Sequence, residues 1–280
     1  MKNFIIRACS AIVYAALVIG CTLVVPQGAL ILFPLVAAAA IWEFGTIVNK
    51  HAGGDVPRMI TSVAGLTGVA ATWLYQISGQ GYERLFVLYM LLMVYLLVSE
   101  LYRKGKTPLL NWSYAFASQM YVAVPFALLS FLFAREEVAD GLIRLSGFYA
   151  FAIFVFLWCN DTGAYLVGCT LSRYFPAKLF PSISPKKSWV GSIGGALLTM
   201  AASAALYYIM PDTMPLWRWM GFALVVVVFG TWGDLVESQL KRQLGIKDSG
   251  NFMPGHGGLL DRFDSALLAI PAVVAYLFLT

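Results

Sequence analysis

Charge is what this chain has least of: 12% of its 280 residues are Asp, Glu, Lys or Arg, against 60% hydrophobic. Ordinary soluble domains devote about a quarter of their residues to charge, so a soluble globular fold is excluded. Cysteine is scarce too: Cys9, Cys21, Cys159 and Cys169 form no CxxC pair and lie in or beside apolar stretches, where buried, inert thiols are expected. Histidine occurs only at His51 and His256. There is no low-complexity tract, long linker or internal repeat, and no basic surface interleaved with aromatics, so nucleic acid is not an expected partner. The net charge of +5 instead suits membrane topology and anionic lipid headgroups.

Long apolar runs are abundant. Each covers about 18–22 residues, enough to cross a hydrocarbon core of about 30 Å. They predict an all-α polytopic integral membrane protein with about nine transmembrane helices, near 8–25, 28–48, 59–78, 84–102, 113–134, 145–168, 189–210, 217–236 and 265–279. With a cytoplasmic N-terminus, 15 of the 19 Lys and Arg fall on inner segments, leaving Arg84, Arg135, Arg144 and Arg218 outside. Val18-Ile19-Gly20-Cys21 after a basic start resembles a lipoprotein cleavage site, but eight spans follow, so a retained first span is expected. Spans one to five (1–144) read as scaffold and spans six to nine (145–280) as the catalytic half. Glu43 is isolated within span two. It either snorkels at the cytoplasmic end or bonds a neighbouring helix, or else has a functional role. Glu100 has Arg103 and Lys104 close by for local pairing.

The polar residues concentrate in 234–264, which the topology places at the cytoplasmic face. Asp234 and Glu237 are three apart, as are Asp261 and Asp264; on helices such pairs share a face and can converge on one cation. Mg²⁺ favours these oxygen ligands, with a second cation as an option. Lys241, Arg242 and Lys247 follow the first acidic pair, where they could neutralise a triphosphate. The turn Met253-Pro254-Gly255-His256-Gly257-Gly258 could offer backbone N–H groups to phosphate oxygens, and His256 is expected to bind or position rather than ligate metal. Two further segments share that face. Asn160-Asp161-Thr162-Gly163-Ala164-Tyr165 interrupts span six, and Ser184-Pro185-Lys186-Lys187 opens span seven as an anion site. The alternative is that the two Lys only anchor the span, while Gly191, Gly194 and Gly195 permit tight helix packing.

At these positions the chain resembles the phosphatidate cytidylyltransferase (CDP-diacylglycerol synthase) family. The family's S-x-x-K-R, K-D-x-G and P-G-H-G-G-x-x-D-R-x-D elements are carried by Ser238, Lys241, Arg242, Lys247, Asp248, Gly250, Pro254, Gly255, His256, Gly257, Gly258, Asp261, Arg262 and Asp264. Lys186 stands where the family has Gly and Ser188 where it has Thr, and 169–182 diverge. The resemblance implies transfer of CMP from CTP to phosphatidic acid in the plasma or inner membrane of a bacterium, with pyrophosphate released. It implies catalytic roles for Asp234, Lys241, Asp261, Asp264 and His256. Metal binding would fall to Asp234, Glu237, Asp261 and Asp264. Substrate binding would fall to Asp161, Lys187, Ser238, Arg242, Lys247, Gly257, Gly258 and Arg262, with membrane lipids around them and a homodimer as an option. A CTP-dependent lipid-alcohol kinase is the nearest alternative. A transporter is less favoured because polar groups gather at one face rather than at the midplane.

Overall fold

The computed structural model describes residues 2–103, 107–137, 143–210, 213–250, 252 and 257–280. The chain divides into two compact units, Met1–Phe148 with Leu244–Phe263, and Tyr149–Gln243 with Asp264–Thr280. The all-α membrane fold is as expected. Seven helices among the described residues are long and apolar enough to cross a membrane: Pro26–His51, Tyr82–Tyr102, Pro108–Leu132, Phe148–Leu171, Trp189–Ile209, Leu216–Gln243 and Leu260–Leu279. Two of the nine expected spans fall short of that standard. Cys9–Val24 is a shorter apolar helix. Arg58–Ser78 is a full-length helix diluted by Thr61, Ser62, Thr67 and Thr72.

In the first unit, α1 (Lys2–Ile19) is followed by α2 (Ala29–His51), α3 (Arg58–Ser78), α4 (Tyr82–Tyr102), α5 (Pro108–Ser118) and α6 (Val124–Leu128). A π-helical turn, Gln119–Ala123, joins α5 to α6. The chain between α3 and α4 can turn sharply because Gly79 ends α3 at φ 67°. Helix α3 packs on α2 and α4. Its three threonine hydroxyls return to nearby backbone, Thr61 to the Pro57 carbonyl (3.0 Å), Thr67 to Ala64 (2.9 Å) and Thr72 to Val69 (2.7 Å), whereas the buried Ser62 hydroxyl has no hydrogen-bond partner among the described residues. The core centres on Trp73, stacked on Phe33 at 5.4 Å and edge-on to Phe133 at 4.8 Å. Its indole N–H donates to the Phe126 carbonyl at 3.0 Å. In lipid such packing gains through dispersion and satisfied polar groups rather than release of water. Glu100 is buried, as local pairing predicts. Arg103 reaches it at 3.1 Å and Asn111 at 2.9 Å, while Lys104 lies outside the described residues.

The second unit contains α7 (Phe148–Leu171) from Tyr149 onward, α8 (Trp189–Ile209), α9 (Leu216–Gln243) and α10 (Leu260–Leu279) from Asp264 onward. Glycines set the α7–α8 distance. A methyl at Gly163 would lie 2.9 Å from the Gly195 Cα, and one at Gly195 would lie 2.6 Å from the Asn160 carbonyl oxygen. The packing role considered for these glycines is therefore present.

Two expectations of local backbone structure change. The segment 160–165 does not interrupt its span, because α7 runs through it unbroken. Ser184–Ser188 is not a helix start but a strand, β4, paired antiparallel with β3 (Lys178–Phe180) in the register Lys178 opposite Ser188. Pro185 favours this extended backbone, since its ring disfavours helix at the preceding residue. In the first unit Ala134–Glu137 and Ile143–Ser146 form a second hairpin, β1–β2. The four cysteines are free and, against the expectation of burial, Cys9 and Cys169 are exposed and Cys21 and Cys159 half-buried, because their helix faces are not covered within this chain.

Candidate active site

The site builds from a spacing on α9. Asp234, Glu237, Ser238 and Lys241 stand at i, i+3, i+4 and i+7, one face of a helix. Glu237 is 1% exposed, so its charge needs a partner, and Lys241 supplies one at 2.8 Å. Ser238 Oγ donates to Asp234 Oδ1 at 3.1 Å. The other Asp234 oxygen is held by Lys187 from β4 at 2.6 Å. Asp264 on α10 lies in hydrogen-bond reach of Glu237 and close to Asp234 and Lys241. Gly233 permits this approach. A methyl there would stand 2.9 Å from the Ser265 Cα and still closer to the Asp264 carbonyl oxygen.

Beside this cluster is a cavity of about 210 Å³, wholly within the second unit. Asp161, Ala164, Tyr165 and Gly168 line it from one face of α7, with Lys186, Lys187 and Ser188 from β4. Gly191 and Ser192, in the first turn of α8, close another side. Ser188 is the N-cap of α8, its hydroxyl accepting from the Gly191 amide at 3.2 Å and meeting the Ser172 hydroxyl at 2.8 Å. A helix N-terminus beside two Lys suits a phosphate group, although the local backbone before it is a strand rather than the expected helix start.

The Gly-rich segment belongs to the first unit. Asp261 Oδ2 accepts from the amides of Ser249 (2.9 Å) and Gly258 (2.8 Å). Gly257 has φ 85°, a left-handed turn that favours glycine. Tyr14 donates to the Arg262 carbonyl oxygen at 3.4 Å. Lys247 is exposed, as is Arg242 on α9. His256 lies outside the described residues, as do Pro254 and Gly255.

The second unit thus gathers Asp161, Lys187, Asp234, Glu237, Ser238, Lys241 and Asp264. Lys187, expected as a headgroup contact, also neutralises Asp234. Asn160, Ser188, Ser192 and Thr231 line the cavity without having been singled out as site residues. Their neutral side chains offered no charge signal, although Asn160 is buried in an apolar helix.

Among the described residues no three His, Cys, Asp or Glu side chains converge as a metal shell by themselves. The donors nevertheless fit Mg²⁺. Asp234 and Asp264 are hard oxygen ligands, and Mg²⁺ characteristically takes one or two carboxylates and completes its shell with water and phosphate.

The family model described as "Cytidylyltransferase family" matches residues 5–280. Among similar proteins is the phosphatidate cytidylyltransferase of Staphylococcus aureus strain COL, 34% identical over 218 residues, covering 78% of this chain and 77% of the relative. That of Staphylococcus saprophyticus is 30% identical over the same share of each chain. That of Staphylococcus haemolyticus is 35% identical over 161 residues, 58% of this chain and 59% of the relative. With the match running almost from end to end, this chain belongs to the cytidylyltransferase family.

Proposed function

We propose that this chain transfers CMP from CTP to phosphatidic acid, giving CDP-diacylglycerol and pyrophosphate at the cytoplasmic face of a bacterial inner membrane. The observation that carries the reading is the charge arrangement on α9 and β4. Lys187 on Asp234 and Lys241 on buried Glu237 sit beside a cavity whose rim is a helix N-terminus. Such a site suits phosphate oxygens on one side and a divalent cation on the other.

An oxygen of the lipid phosphate attacks the α-phosphorus of CTP. One P–O bond forms, the bond to the bridging oxygen of the β-phosphate breaks, and pyrophosphate leaves with the electron pair. The nucleophile is already anionic near neutral pH, so no strong general base is needed. Positioning and charge neutralisation supply the catalysis. Lys187 and Asp161 orient the lipid headgroup in the cavity. Lys241, Arg242 and Lys247 hold the triphosphate, and Ser238, which bonds Asp234, is within the same helical face for a phosphate oxygen. His256, Gly257, Gly258 and Arg262 serve the nucleotide phosphates. Asp234 and Asp264 would hold Mg²⁺, supported by Glu237; Asp261, also expected as a ligand, accepts from the Ser249 and Gly258 amides within the first unit. The ion would supply neutralisation of charge on the leaving pyrophosphate.

The test uses purified protein in detergent with CTP labelled at the α-phosphate, phosphatidic acid and Mg²⁺. Label in lipid with stoichiometric pyrophosphate, lost on chelation and restored by Mg²⁺, is expected. No labelled lipid would overturn the reading, and label passing from γ-labelled CTP to a lipid alcohol would replace it with a kinase.

A further inference from the structure

Glu43 is a carboxylate within an apolar helix, α2, and among the described residues no Lys, Arg or His forms an ion pair with it. An ionisable group in a membrane span is costly and usually functional or paired. Its partners here are N–H and O–H donors of one distant segment. Oε1 accepts from the Ser249 hydroxyl and from the Leu260 amide at 3.1 Å. Oε2 accepts from the Leu259 amide at 2.9 Å. Leu260 is the first residue of α10, so Glu43 satisfies orphan donors at that N-terminus from another helix, the task of a capping side chain.

The fit around the carboxylate is close. A methyl at Gly250 would stand 2.8 Å from Oε2, and one at Gly258 would overlap both Oε1 and the Ser249 hydroxyl. Asp261 adds a second tie, binding the Ser249 and Gly258 amides through one oxygen. The two carboxylates therefore clamp both arms of the segment, Ser249–Gly250 on one side and Gly258–Leu260 on the other. Arg262, just beyond, has a buried Nε with no hydrogen-bond partner among the described residues. A buried guanidinium N–H left unmatched is costly, and an anion would satisfy it.

We propose that Glu43 is a positioning residue for the transfer reaction, tying Ser249 to Leu259 and Leu260 so that Gly257, Gly258 and Arg262 are presented to the nucleotide phosphates. The assignment rests on the cytidylyl-transfer reading. Glu43 touches no substrate and acts through the backbone it fixes. The family-signature glycines at 250 and 258 are small here because this carboxylate fills the space a side chain would take.

Glu43→Gln preserves the size of the side chain but turns an NH₂ group toward donors that need an acceptor. In the full-length protein, kcat is expected to fall about 100-fold, the scale on which misplacement by about 1 Å acts. Amide hydrogen exchange should rise at Leu259 and Leu260 while α7–α9 stay protected. Ser249→Ala removes one donor and should produce a smaller loss of the same kind; it and Glu43→Asp carry the test if the Gln variant does not fold. A Gln variant with kcat within twofold of wild type would overturn the proposal. So would a loss of activity accompanied by unchanged exchange at Leu259 and Leu260, or by increased exchange throughout the protein. Absence of CMP transfer by the wild type would overturn the functional reading and the catalytic half of this inference, while the exchange comparison would still decide the clamp.

Discussion

Lys187 and Asp234 form a part-exposed ion pair that is expected to matter little to stability and, if the proposed site is right, much to chemistry. Their side chains are 23% and 35% exposed, a setting in which a pair contributes about 0–1 kcal/mol. Lys187→Met should therefore leave the thermal midpoint within a few degrees while lowering kcat about 10²-fold, as expected for loss of a charged donor at a reacting phosphate. Parallel assays of melting and turnover check this; equal losses in both would remove Lys187 from the site. Asp264 belongs to the opposite class, lying among Asp234, Glu237 and Lys241. Asp264→Asn keeps the shape but removes a hard anionic ligand, so turnover should disappear while membrane insertion and size-exclusion behaviour persist. Full activity in that variant would end the metal assignment. Spacing alone made Asp234, Glu237, Ser238 and Lys241 legible as one face. The partner of Asp234 was not legible, because Lys187 arrives from a strand outside that helix.

At the scale of elements, helix separation is set by single residues. Gly233 lets α10 approach α9 with backbone against backbone, and a Cβ there has no flexible side chain to push aside. Gly233→Ala should cost about 1–3 kcal/mol, the usual penalty for overpacking, and lower both melting temperature and specific activity. Gly20→Ala is the control, because the space around Gly20 is open. If both variants melted alike, the close approach would not be limiting. Local sequence misled at two elements. The polar run 160–165 resembled a break, yet α7 continues because its polar groups can face a cavity: Asp161 and Tyr165 line it while Gly163 packs on α8. Ser184–Ser188 resembled a helix start, yet pairing with Lys178–Phe180 draws it into a strand and defers the helix to Trp189.

For the molecule as a whole, the distribution of Lys and Arg predicts orientation. If all nine expected spans cross from a cytoplasmic N-terminus, Gln80 is expected outside and Lys247 inside. Reporter fusions test this: alkaline phosphatase should be active at Gln80 and inactive at Lys247, and a fluorescent protein should show the converse. Phosphatase activity at Lys247 would put the polar segment on the wrong face for a cytoplasmic nucleotide. The grouping of the chain into units was not visible in advance. The first boundary falls near residue 148, but Leu244–Phe263 groups with the N-terminal helices. Glu43 supplies part of the reason, since its hydrogen bonds to Ser249, Leu259 and Leu260 all lie within that unit.

Span positions, the clustering of charge at 234–264 and the family signature could be read one segment at a time. The bilayer imposes a local rule, with enough apolar residues per crossing and cations kept to one side. Which distant groups meet obeys no local rule. Glu43 on the α10 N-terminus, Lys187 on Asp234 and the cavity between α7 and α8 depend on helix separations of a few ångströms, which small residues far apart in the chain set together. Hydropathy, charge and the family signature therefore pointed to a membrane enzyme and to a candidate reactive segment, while packing alone selected the partners of each charged group.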